Sequence, residues 1–299
     1  MTDLSLDVRI RELLPKEIHS YSIIHKWKNN AVVSLKASHE NGTPVFVKCF
    51  LNEAHGYANA VNYHETLSHY HKALGDSLQL SCPKPIDLNV KKHVGGAIVS
   101  EWIAMPRGDA YFKLTMPCEP LRKEGLKQAA RWLAAFHTAG MTFNPRPNGS
   151  SPARALIADS PAGNQNEHGD HLIKRRLHGD FSPSNIFMNL RNAVGFDFVA
   201  EEGPTSLDIA KFVTATAWYG SARVLTTYGR RFERDLGYFA DCYSEISPID
   251  DFDALKEVSK QYVEEQKERL IKDAREASPR KRHTKQAHVR LMEKISAHL

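Results

Sequence analysis

One short stretch of the chain carries side chains whose types and spacing suit work on a phosphate ester and a divalent cation. His178-Gly179-Asp180-Phe181-Ser182-Pro183-Ser184-Asn185 sets an Asp and an Asn five positions apart, with a His two positions ahead of the Asp. Asp197 follows twelve positions after Asn185. Phosphoryl transfer requires a group that orients the attacking hydroxyl and takes its proton, together with oxygen ligands for a metal bridging the phosphates. Asp180 and His178 are the candidates for the first task, Asn185 and Asp197 for the second. Oxygen-only ligation by one or two protein groups suits Mg²⁺, which keeps several waters and shares the phosphates. Each residue alone reads equally well as a turn or cap; the set at this spacing favours the chemistry.

The residues between these groups explain why they should converge. Ile186 to Leu190 and Ala193 to Phe198 read as two short strands around a tight Leu190-Arg191-Asn192 turn, an antiparallel hairpin that brings Asn185 and Asp197 to the same end. Glu167-His168-Gly169-Asp170 is a look-alike of the His-Gly-Asp motif. Five positions after Asp170 stands Arg175, which cannot ligate Mg²⁺, and no hairpin follows, so Asp170 is expected at the surface or on the acceptor side.

Upstream, the order reads strand, strand, helix, strand, strand. Ala31 to Ser38 and Pro44 to Phe50 are β-rich runs joined by His39-Glu40-Asn41-Gly42, a hairpin signal. Residues 53 to 74 have helical spacing and stop before Gly75, and strands follow at Pro85 to Val90 and Ala97 to Trp102. Beyond residue 120 the chain turns helical. Leu121 to Ala139 carries Leu126, Ala130, Leu133, Ala134 and His137 at intervals of three and four. Residues 141–176 are rich in Pro, Gly, Asn and Ser and read as an irregular insertion.

With His178-Gly179-Asp180, Gly195-Phe196-Asp197-Phe198 and Leu207-Asp208-Ile209-Ala210 in view, the sequence resembles the aminoglycoside phosphotransferase and choline kinase branch of the protein-kinase-like superfamily. The resemblance implies an α+β, two-lobed fold: a small antiparallel-sheet lobe with one helix over 1–103, binding nucleotide, and a larger, mainly helical lobe over 104–299. It implies ATP and Mg²⁺ as cofactors and a small-molecule hydroxyl as acceptor (an aminoglycoside, choline or a sugar-like compound). Asp208 becomes a structural carboxylate that begins a helix and holds the catalytic loop through backbone hydrogen bonds, a role compatible with plain N-capping. Lys48, a lone lysine in the apolar run Val45-Phe46-Val47-Lys48-Cys49-Phe50, matches the strand lysine that meets the α- and β-phosphates. Glu65 is its expected helix partner, with Glu53 reading better as a first-turn acid. Glu101 and Ile103 resemble the hinge whose backbone meets adenine. Where a Gly-rich phosphate loop would lie, Lys26-Trp27-Lys28-Asn29-Asn30-Ala31 has no glycine, which leaves the nucleotide's identity open.

Composition bounds the rest. With 41% apolar and 25% charged residues the chain is suited to globular cores. No apolar run is long enough to span a membrane and no secretory pattern opens the sequence, so a cytoplasmic location is expected. Cys49, Cys82, Cys118 and Cys242 form no Cys-x-x-Cys pair and suggest neither zinc nor a disulfide framework. From 279 to 299, Arg280, Lys281, Arg282, Lys285, Arg290 and Lys294 face only Glu293, a basic tail that suits either a solvated helix end or weak contact with an anionic membrane. No nucleic-acid-binding signature accompanies it. Asp241, Glu245, Asp250, Asp251 and Asp253 form an acidic stretch that suits a cationic acceptor or a solvated loop. A kinase for an envelope sugar or lipopolysaccharide is a second enzymatic reading, and a nucleotide-binding pseudokinase a non-enzymatic one. The sequence leaves acceptor and oligomeric state open.

Overall fold

Strand alternation gives the N-terminal sheet two apolar faces, and each receives a helix. The computed structural model describes residues 3–27, 31–52, 54–75, 80–140, 172–199, 201–219 and 228–299. These fall into two compact units, one holding the residues up to 75 with 81–104, the other residue 80 with 105–140 and 172–299. In the first unit β1 (Ile18–Trp27), β2 (Val32–His39), β3 (Pro44–Phe50), β5 (Pro85–Lys91) and β6 (Gly95–Glu101) form an antiparallel sheet in the order β1-β2-β3-β6-β5. A two-residue strand, β4 (Leu80–Ser81), precedes β5.

The period of two puts Val45, Val47 and Cys49 of β3 on one face and Phe46, Lys48 and Phe50 on the other. The first face is covered by α1 (Asp3–Leu13), whose Leu6, Ile10 and Leu13 are buried against Val33, Leu35, Val45 and Val47. Each such side chain contributes roughly 1.5–3 kcal/mol by leaving water, which makes α1 part of the core. The second face is covered by α2 (Gly56–Leu74), where Ala60 packs with Phe50 and Ile98.

The sequence suggests one helix in this region, and α1 and β1 are additional. Their signals are weak for physical reasons: α1 interleaves Asp7, Arg9, Arg11 and Glu12 with its three anchors, and β1 is exposed along most of its length.

The second unit begins with α3 (Gly108–Thr115) and α4 (Glu119–Gly140). Trp132, Leu133 and Phe136 of α4 are fully buried, so this helix runs through the core. Strand β7 (Lys174–Leu177) pairs antiparallel with β10 (Glu201–Pro204), and between them in sequence lies the hairpin β8 (Ile186–Met188) and β9 (Ala193–Gly195). Helices α5 (Thr205–Ala217), α6 (Tyr228–Ser244), α7 (Phe252–Glu276) and α8 (Pro279–Ser296) complete it. Of the expected insertion, residues 174–176 belong to β7, whereas 141–171, including the look-alike at Asp170, lie outside the described residues.

The basic run after Pro279 is helical. It forms α8, packed antiparallel on α7 with Leu291, Met292 and Ile295 buried. Lys285 pairs with Asp273 at 2.5 Å and Arg282 Nε donates to the Ala274 carbonyl at 3.2 Å, so acids and carbonyls of α7 absorb part of its charge. Among the described residues no helix is long and apolar enough to cross a membrane.

Candidate active site

β7 ends at Leu177 and hands the chain to a loop fixed by one buried carboxylate. The backbone N–H groups of His178 and Gly179 donate to Asp208 Oδ2 and Oδ1 at 2.6 and 3.2 Å. Asp208 lies in the first turn of α5, beyond the N-cap at Pro204, and is fully buried. Gly179 adopts φ +80°, and a Cβ there would stand 2.8 Å from Val199 Cβ, so backbone conformation and space both demand glycine. Asp180 comes next, followed by Phe181, buried in stacks with Trp132 and Phe212.

A 3₁₀ turn, Pro183–Asn185, then returns Asn185 to Asp180. Asn185 Nδ2 donates to the Asp180 carbonyl and to Asp180 Oδ2, both at 2.8 Å. Across the hairpin the Phe196 N–H donates to the Asn185 carbonyl at 3.0 Å, which places Asn185 one residue from Asp197 on the opposing strand end. The hairpin turn is an Asx turn at Asn189, whose Oδ1 accepts from the Arg191 and Asn192 N–H groups at 2.8 and 2.9 Å. Asp197 has φ +66°, a left-handed conformation that Asp tolerates better than bulkier residues and one often stored at functional positions.

These contacts bring Asp180, Asn185 and Asp197 together. Burial raises the Asp180 carboxyl above its ordinary value; the Asn185 hydrogen bond pulls it down and the Asp197 charge pushes it up. A raised carboxyl is the better proton acceptor. With both amide hydrogens of Asn185 directed at Asp180, its Oδ1 has no donor among the described residues and is open to a cation. No group of three or more His, Cys, Asp or Glu side chains among the described residues forms a metal cage. One carboxylate and one amide oxygen instead fit an ion whose remaining ligands are phosphates and water.

His178 is the other residue expected among the catalytic groups. Its ring is fully buried among Trp132, Phe136, Phe181 and Phe198, and its Nε2 donates to the Phe196 carbonyl at 3.0 Å. Burial lowers it to about 4, so the ring stays neutral at ordinary pH. It touches no solvent and positions the loop against the strand that precedes Asp197.

In the first unit, Lys48 lies on the central strand β3, its ammonium 4.4 Å from the Tyr63 ring centroid and 5.4 Å from that of Phe50. Glu65 is half-buried on α2, and among the described residues no ion pair joins it to Lys48. Glu53 and residues 28–30 lie outside the described residues. The Glu101 N–H donates to the Lys84 carbonyl and its Oε1 accepts from the Lys84 N–H, both at 2.9 Å. The Ile103 N–H has no acceptor among the described residues, which leaves it available to a ligand.

No protein-family model matches the sequence, and no curated protein does. Solved structures do match. Amicoumacin kinase hAmiN, in complex with AMP-PNP, Ca²⁺ and Ami, aligns over 99% of this chain and 96% of its own with a TM-score of 0.63 at 10% identity. Aminoglycoside phosphotransferase APH(4)-Ia aligns over 98% and 99% with a TM-score of 0.55 at 12% identity. A putative fructosamine-3-kinase from Thermobifida fusca YX-ER1 aligns over 96% and 97% with a TM-score of 0.51 at 17% identity. The chain has the aminoglycoside phosphotransferase fold.

Within that fold, residues outside the motif support the site. His137, which the helical pattern of α4 reads as an apolar position, sits with Nε2 3.1 Å from Asp208 Oδ2 and Nδ1 2.8 Å from the Tyr243 hydroxyl. Burial alone would raise Asp208, but the His137 hydrogen bond, with the charges of His137 and Lys211, holds its carboxyl below the ordinary value. Gly195 lies under Trp132, and a Cβ there would come within 2.2 Å of the indole.

Proposed function

We propose that the protein is an ATP-dependent phosphotransferase that moves the γ-phosphoryl group to a hydroxyl of a small molecule. The observation that carries this reading is the Asn185 amide, which grips the Asp180 backbone and carboxylate while leaving its own oxygen open beside Asp197. Asp180 orients the hydroxyl and accepts its proton as the new O–P bond forms and the bond from the γ-phosphorus to the β–γ bridging oxygen breaks, releasing ADP. Asn185 and Asp197 are the residues that would hold Mg²⁺, which supplies neutralisation of phosphate charge. Lys48 is assigned to the α- and β-phosphates with Glu65 on the neighbouring helix, and the Glu101 carbonyl and Ile103 N–H to adenine. The nucleotide analogue and small molecule held by amicoumacin kinase support this reading.

Incubation with ATP, Mg²⁺ and a panel of hydroxylated small molecules should yield a phosphorylated product. Asp180→Ala should remove the product, lowering turnover by roughly 10²–10⁴-fold, while nucleotide still binds. A wild-type protein that neither binds nucleotide nor transfers phosphate would sink the proposal. Nucleotide that binds without transfer to any acceptor would make the protein a regulator.

A further inference from the structure

Lys211 grips the peptide from which Asp180 projects. It lies on α5 three residues after Asp208, on the same face of the helix, and its half-buried side chain donates from Nζ to the Gly179 carbonyl at 2.7 Å. The neighbouring peptides of the loop are held by other groups. The His178 and Gly179 N–H groups donate to Asp208, and the His178 carbonyl accepts the Val199 N–H at 2.8 Å. The peptide after Asp180 is held through its carbonyl by Asn185 Nδ2 at 2.8 Å. Between these two clamps, the peptide joining Gly179 to Asp180 has Lys211 as its sole hydrogen-bond partner among the described residues.

That peptide is also the softest of the series. Gly179 has φ +80° and no Cβ, so its ψ can turn the plane that follows at little steric cost. A net change in that torsion and in φ of Asp180 redirects the Asp180 side chain. Asn185 cannot prevent such a change alone, because its two hydrogen bonds reach only the Asp180 carbonyl and Oδ2, on the far side of the Asp180 Cα. A bond from an ammonium to a carbonyl is charge-assisted and stronger than one between neutral groups, which suits a contact that must select one orientation of a flexible plane.

We propose that Lys211 is a positioning residue for the base: by holding the Gly179 carbonyl it fixes the peptide plane ahead of Asp180, as Asn185 fixes the plane behind it, and so sets where the carboxylate meets the acceptor hydroxyl. The proposal rests on the phosphotransferase reading. It gives α5 two tasks in the loop, anchoring through Asp208 and aiming through Lys211. Asp180 Oδ1, which has no donor among the described residues, is the oxygen left to meet the hydroxyl.

The test compares the wild type with Lys211→Met and Lys211→Arg in single turnovers of γ-³²P-labelled ATP with Mg²⁺, enzyme in excess, with ribose, choline and kanamycin as acceptors and water as the acceptor common to all. Methionine keeps an unbranched stem and nearly the helix propensity of lysine while deleting the donor, so the Kd for ADP and the thermal midpoint should stay close to those of the wild type. The transfer rate should fall roughly 10²-fold, the size expected when a reacting group is misplaced by about 1 Å. Lys211→Arg can still donate to the carbonyl and should recover most of the rate. A role confined to stability would do the reverse, lowering the midpoint and leaving the transfer rate of the folded protein unchanged. Transfer by Lys211→Met at the wild-type rate, an arginine variant no faster than the methionine one, or a methionine variant that does not fold would overturn the assignment and leave the phosphotransferase reading intact. A wild type that transfers phosphate to none of these acceptors, water included, would remove that reading and the assignment with it.

Discussion

A neutral imidazole locked in an aromatic core should make this protein acid-sensitive well above the carboxylate range. His178 is fully buried and lowered from 6.5 to about 4 by loss of hydration, a cost that the negative charges of Asp208 and Asp197 only partly offset. As pH falls through 6.5 the unfolded chain takes up a proton that the folded chain refuses until about 4, so the unfolded state binds more protons and stability falls with pH. At about 1.4 kcal/mol per pH unit of separation, the loss between pH 7.5 and 4.5 comes to roughly 2.5 kcal/mol. His178→Leu removes the titration and the hydrogen bond to Phe196, the latter a roughly pH-independent cost of about 1 kcal/mol. Urea unfolding followed by circular dichroism at pH 7.5, 6 and 4.5 isolates the effect, because the other titrating groups are shared by both proteins. The wild type should lose about 2.5 kcal/mol more than the variant across that window, turning its advantage at pH 7.5 into a deficit at pH 4.5. Parallel pH dependences would refute the argument that the buried ring is held neutral.

Asp208→Ala strands two backbone N–H groups and the His137 ring in the core, which should cost roughly 3–5 kcal/mol and lower the thermal midpoint by roughly 6–20 °C. A midpoint unchanged in differential scanning calorimetry would show that the loop does not depend on this carboxylate. Gly195→Ala drives a methyl group into the Trp132 indole and should cost about 1–3 kcal/mol in the same measurement, even though it removes no hydrogen bond. A chain ending at Ser278 exposes the partners of Leu291, Met292 and Ile295, three side chains at roughly 1.5–3 kcal/mol each, and should unfold at lower urea than the full chain. A charge-only tail would leave that midpoint where it was.

Local pattern and long-range contact explain what could be read before the structure was known. The hairpin carrying Asn185 and Asp197 was legible because its determinants lie within a dozen residues: two apolar runs and an Asn-containing turn. The α2 boundary at Gly75 and the β2–β3 hairpin at Gly42 were legible for the same reason, each being a glycine with positive φ at the end of a periodic run. His137 was legible as a position on the helical stripe of α4 but not as the partner of Asp208 and Tyr243, which lie 71 and 106 positions away. His178 was legible as part of a motif but not as a buried group, since its environment is supplied by Trp132 and Phe136 from another helix. The basic run at 279–299 was legible as a solvated helix end but not as a docked helix. Its charges dominate any local count, yet Leu291, Met292 and Ile295 recur at helical spacing, and that apolar stripe docks the helix while the charges merely face outward. The same asymmetry applies to the acidic stretch before α7, where Asp250 is fixed by the Ile173 N–H and the Ser206 hydroxyl and Asp251 by the Ala254 N–H, contacts that composition cannot reveal. Charge density therefore identifies a surface only after the hydrogen bonds that consume it are known.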